Sequence, residues 1–123
     1  MTIGNLIYKI TDRTAWDQAI SAGAFAGATV DLADGYIHFS TSEQVAATAA
    51  KHFRDQSDLI IIAVDAAALG PALKWEPSRG GALFPHLYAP LDVAHARAVY
   101  DLPLGPGGIP VIPANILKSP SSC

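Results

Sequence analysis

The chain switches repeatedly between two hydrophobic periods. LIYKIT (6–11) has the two-residue period of a strand, with Ile7 and Lys9 on one face and Leu6, Tyr8 and Ile10 on the other. Ala15, Trp16, Ala19 and Ile20 then recur at helical spacing. Thr11 or Asp12 can accept from the free amides of the first turn, and Gly23 suits the stop, so a helix is predicted to about Ala22. Residues 23–33 show neither period and read as a loop. Asp34-Gly35 is a turn signal, and a strand over Tyr36–Ser40 follows it.

A second helix is predicted over about 42–53, with Val45, Ala46, Ala49 and Phe53 on its buried face. DLIIIAVD (58–65) is a continuous apolar run, the pattern of a central strand covered on both sides. AAALG (66–70) reads as a helical turn or loop. LKWEPS (73–78) reads as a strand with Trp75 on one face and Lys74 and Glu76 on the other, edged by Pro77. SRGGALFPHLY (78–88) is a glycine-containing loop leading into an extended segment. Both periods fit 92–102, and a strand is predicted over Ala96–Leu102. Pro110–Pro113 suggests an edge strand. The order β-α-β-α-β-β-β fits an α+β fold with largely non-parallel sheets and two helices. The expected organisation is one domain over 1–113 and a flexible tail over 114–123, in which KSPSSC is expected to be disordered.

At 123 residues with half of them hydrophobic, the chain can bury the core of one domain. A net charge of −3 argues against a broad nucleic-acid or anionic-membrane surface. It leaves room for a small anionic ligand held by a few local cations. The one cysteine, Cys123, gives neither a disulfide framework nor a thiolate metal cluster. The opening MTIGNLIYKITDR lacks the charged and long apolar regions of a signal peptide, and LIIIAV (59–64) is too short to span a bilayer. The expectation is a cytoplasmic protein without a membrane partner.

Chemistry concentrates in three stretches. In DGYIHFSTSEQV (34–45), Ile37 and Phe39 share the core face, while Tyr36, His38 and Ser40 share the other. Ser40 with Glu43, or Thr41 with Gln44, matches a capping box, and the helix end beside His38 offers free amides to an anion. In KWEPSRGG (74–81), Glu76 wants a partner, and Arg79 beside two glycines suits a phosphate or carboxylate. In LFPHLY (83–88), apolar groups surround His86. His52 and His95 are discounted: His52 lies near the end of the second helix, where a cation suits the dipole, and His95 sits among small residues with no polar company. Four polar residues in the most apolar segments, His38, Glu76, Arg79 and His86, are expected to converge on one cleft.

These same stretches, DGYIHFSTSEQV, LKWEPSRGG and LFPHLYAPL, resemble the signature of a bacterial family of unknown function, DUF952, and the likeness runs from LIYKI to IPVIP. The resemblance implies a fold similar to the ADP-ribosyltransferase superfamily, with small split sheets framing a cleft for NAD. His38 is then like the strand histidine that holds the NAD ribose, and Ser40 like the serine two positions on. Glu76 takes the part of the late catalytic glutamate, although the Gln/Glu-x-Glu motif of one branch is missing. In the RNA 2′-phosphotransferase scheme of the same fold, Arg79 and His38 are the candidates. His38 and Glu76 are therefore the catalytic expectation, with Tyr36, Ser40, Thr41, Arg79 and His86 as ligand contacts. The leading reading is an NAD- or ADP-ribose-dependent transferase. A non-catalytic nucleotide- or metabolite-binding module stands beside it, and a metal-dependent hydrolase using His38, His86 and Glu76 is the third.

Overall fold

The computed structural model describes residues 6–78 and 81–117. In chain order the elements are β1 (Leu6–Asp12), α1 (Arg13–Ala22), β2 (Ala24–Phe25), α2 (Thr29–Asp34), β3 (Ile37–His38) and α3 (Val45–His52). There follow β4 (Leu59–Asp65), a 3-10 segment (Ala66–Ala72), β5 (Leu73–Ser78), β6 (Ala82–Leu87), β7 (Leu91–Asp92), β8 (Ala96–Leu102) and α4 (Ala114–Leu117). Among the described residues no helix is long and apolar enough to cross a membrane.

The apolar run of β4 forms the middle of an antiparallel sheet of order β1-β4-β8. Its side chains alternate between two cores, as a strand covered on both faces requires. Ile60, Ile62 and Val64 pack with Ile7, Trp16 and Ala19, so α1 covers that face. Leu59, Ile61 and Ala63 pack with Tyr8, Val45 and Ala49, so α3 covers the other. A second antiparallel sheet has the order β3-β6-β5, and β2 pairs with β7. Tyr8 and Ser40 join the first two sheets by a pair of backbone hydrogen bonds of 2.8 and 2.9 Å. Asp12 caps α1 by accepting from Ala15 N–H, and Gly23 ends it in the left-handed conformation.

The α+β class and antiparallel sheets match the sequence expectation; several details do not. Residues 23–33 are not simply a loop, because they carry β2 and most of α2. Six residues are too few to display a helical period, and α2 is held by the contacts of Asp31 rather than by an apolar stripe. The helices number more than two. Ile20 and Ala46, placed on buried faces by spacing, are exposed. Pro110–Val111–Ile112–Pro113 forms no strand; Pro110 only bridges Leu104. Past residue 113 the chain makes the helical turn α4, whose Ile116 is buried in the second core. The expectation for residues 118–123 lies outside the described residues.

Candidate functional site

The alternation of β1 sends Lys9 to the same face as the buried Ile7, and Lys9 is itself buried. A buried ammonium needs a partner. That partner is Asp31 of α2, with Nζ 2.8 Å from its Oδ2. Asp31 also accepts from Ala28 N–H at 2.8 Å and from His38 N–H at 3.1 Å. The His38 ring adds a further donor: Nδ1–H lies 2.6 Å from Asp31 Oδ1. Burial raises the Asp31 pKa, but the hydrogen bond from His38 and the charge of Lys9 outweigh it and hold the carboxyl at about 2.

The other nitrogen of His38, Nε2, lies 2.9 Å from Asp34 Oδ2. Both contacts are hydrogen bonds only when both nitrogens carry protons. His38 pairs with His86 across the β3–β6 ladder, with ring centroids 5.6 Å apart. His86 is held in the same manner from β5, its Nδ1 2.8 Å from Glu76 Oε1. Tyr88 donates to that same oxygen at 2.7 Å. The Tyr88 hydrogen bond and then that of His86 keep the Glu76 carboxyl below the usual glutamate range. The Tyr36 ring stacks on His86 at 4.2 Å and lies 4.6 Å from the His38 ring. Two imidazoles, each fixed by a carboxylate, thus share one wall with a phenol between them.

That wall faces a cavity of about 880 Å³ lined also by β1 from Tyr8 to Asp12. Lys9, Thr11, Asp34, Tyr36, His38 and His86 all contribute to its lining. The sequence-predicted residues divide accordingly. Tyr36, His38, Ser40 and His86 are at the cavity. Glu76 stands behind His86 and is spent on it and on Tyr88. Thr41 is spent on the start of the α3 turn: its hydroxyl accepts from Gln44 N–H, and its own N–H donates to Gln44 Oε1. The capping box is therefore Thr41–Gln44 and not Ser40–Glu43. The Ser40 hydroxyl instead meets Thr48 Oγ1 at 2.9 Å. Arg79 lies outside the described residues. For the metal reading, no group of three His, Cys, Asp or Glu among the described residues is placed to hold an ion.

Sequence reasoning missed Lys9, Asp31 and Asp34. A signal for Lys9 was present: it shares a strand face with Ile7, and a lysine there requires a buried anion. Nothing local marked Asp31 as that anion, because it is 22 residues away.

The model of a family described as a protein of unknown function, DUF952, matches residues 10–99. The fold is similar to the X-ray crystal structure of protein CC0527 from Caulobacter crescentus, with 52% identity and a TM-score of 0.88, over 90% of this chain and 97% of that one. It is also similar to the solution NMR structure of CC0527, with 50% identity and a TM-score of 0.82, over 94% of this chain and 99% of that one. No curated protein matches.

Proposed function

This chain belongs to the DUF952 family, and we propose that its cavity binds a ribose-phosphate ligand of the NAD or ADP-ribose type, with His38 and His86 in contact with it. The observation that carries this reading is the pair of carboxylate-held imidazoles on one wall of a cavity of about 880 Å³. Cavities of roughly 300–1,000 Å³ suit ligands of cofactor size. Imidazoles held at Nδ1 can offer Nε2 to ribose hydroxyls or to diphosphate oxygens, which at His38 requires the ligand to take the place of Asp34. In an ADP-ribosyl transfer the nicotinamide leaves as a neutral molecule, and an imidazole can take the proton that the acceptor gives up as it bonds to the sugar. Asp31 and Glu76 act through the two rings, by fixing their orientation.

The position of Glu76 favours a second reading, a binding module without turnover. A glutamate that steadies a sugar cation must face the ligand, and Glu76 faces His86 and Tyr88 instead. Calorimetric titration with NAD and with ADP-ribose tests binding. No heat from either at millimolar ligand removes both readings. Chromatography of the ligand after incubation separates them: cleaved NAD supports the transferase, and NAD recovered intact supports the module. His38→Ala and His86→Ala are each expected to abolish the heat of binding.

A further inference from the structure

The two carboxylates on His38 are held very differently. Asp31 is fully buried and collects donors from Lys9, Ala28 and both the backbone and ring of His38. It cannot leave without stranding all of them. Asp34 has 46% of its side chain exposed, and among the described residues His38 Nε2 is its one hydrogen-bond partner. It is also the last residue of α2, followed by Gly35 in the left-handed conformation. Rotation of Asp34 into solvent breaks this contact alone. Both Asp34 and the His38 ring line the cavity.

The Nδ1 contact is therefore permanent and the Nε2 contact exchangeable. Losing Asp34 leaves the Nε2 position at the cavity wall without its carboxylate partner, which favours an incoming group of the same chemistry. A neutral hydroxyl replaces the carboxylate poorly, because it gives up a charge-assisted bond for an ordinary one. We propose that Asp34 is a specificity-determining residue: its carboxylate holds the place on His38 Nε2 that an anionic oxygen of the ligand takes. The cavity then selects ligands with a phosphate or carboxylate at this point and leaves neutral nucleosides unbound. This rests on the cavity being a ligand site, and it narrows the chemistry of what binds.

The test is calorimetric titration of the wild type, Asp34→Ala and Asp12→Asn with ADP-ribose, inorganic pyrophosphate and adenosine. Asp12 also lines the cavity, and asparagine retains its capping role, so that variant reports the effect of bulk charge alone. Asp34→Ala is expected to tighten ADP-ribose and pyrophosphate by about two- to fivefold, the range for a partly exposed ionic contact, and to leave adenosine undetected. Asp12→Asn is expected to change them less. The ¹⁵N shift of His38 Nε2 in the ADP-ribose complex is expected to be the same with and without Asp34. Weaker anion binding by Asp34→Ala, or equal tightening by Asp12→Asn, overturns the proposal. Tightened pyrophosphate with no ADP-ribose binding supports Asp34 and removes the ADP-ribose reading. No binding of any probe to any of the three proteins overturns both.

Discussion

Lys9 Nζ lies 2.8 Å from Asp31 Oδ2, with 4% and 0% of the two side chains exposed, and the other Asp31 oxygen lies 2.6 Å from His38 Nδ1. Desolvation largely offsets the attraction in such a pair, yet removing one partner strands the other at a loss of about 3–5 kcal/mol. Lys9→Met is therefore expected to destabilise the protein by at least about 3 kcal/mol. In Lys9→Met/Asp31→Asn neither charge remains, while the asparagine oxygen, placed where Oδ1 stood, can still accept from His38 N–H. The double variant is expected to lose distinctly less than the sum of the single losses. Urea unfolding of all four proteins measures that coupling, and simple additivity would show that the two residues do not act as a pair.

Acid should act on the same carboxylate. The Asp31 pKa is held down to about 2 from 3.8, against the effect of burial, by the His38 hydrogen bond and the Lys9 charge. A group whose folded pKa is depressed stabilises the fold above its unfolded value, and the contribution is lost as the pH falls through the folded value. The loss is expected between about pH 4 and pH 2 and to amount to about 2 kcal/mol. Thermal melts across this window should show a falling midpoint. In Asp31→Asn the same window should be flatter, and an unchanged slope would contradict the role given to Asp31.

What could be read from sequence follows the range of the interactions concerned. β1, α1 and β4 were legible because each is fixed by its own period, apolar run or caps, as with Asp12 and Gly23 around α1, whereas both periods fitted the stretch that forms β8. His38 and His86 were legible because a histidine stands out in an apolar strand, and their cross-strand pairing then brings them together. α2 was not legible. Its key residue, Asp31, is buried by a lysine and a histidine from other elements, and no local pattern announces that. Glu76 was recognised as needing a partner, but its partners lie on β6 and just beyond it, and they turn it away from the cavity. Thr41 and Ser40 both fitted a cap, and only the geometry assigned it to Thr41.

Behind His86, the Tyr88 phenol donates to Glu76 Oε1 at 2.7 Å. That hydrogen bond, reinforced by burial and by the Glu76 charge, holds the phenol proton and pushes its pKa up to about 12. Glu76→Gln removes the charge and weakens the acceptor. The Tyr88 midpoint is then expected to fall towards the ordinary value of 10.0. Ultraviolet titration of tyrosinate, with Tyr88→Phe as the subtraction, isolates this residue from the other three tyrosines. A Tyr88 midpoint unmoved by Glu76→Gln would mean that the contact does not persist in solution.

Thr11 presents the opposite case, a buried polar group with nothing to satisfy it. Its Oγ1 is buried without a hydrogen-bond partner among the described residues, and its side chain lines the cavity. An unpaired buried hydroxyl costs about 1–3 kcal/mol of stability. Thr11→Val keeps the branched shape that β1 needs while deleting that hydroxyl, and is expected to stabilise the protein by about 1 kcal/mol in urea unfolding. A purely structural threonine would show the reverse, because its loss would break a bond. If the hydroxyl serves the ligand, ADP-ribose should bind more weakly to this more stable variant. Stability and affinity would then move in opposite directions from one substitution, as expected where a binding site keeps a polar group the fold alone does not need.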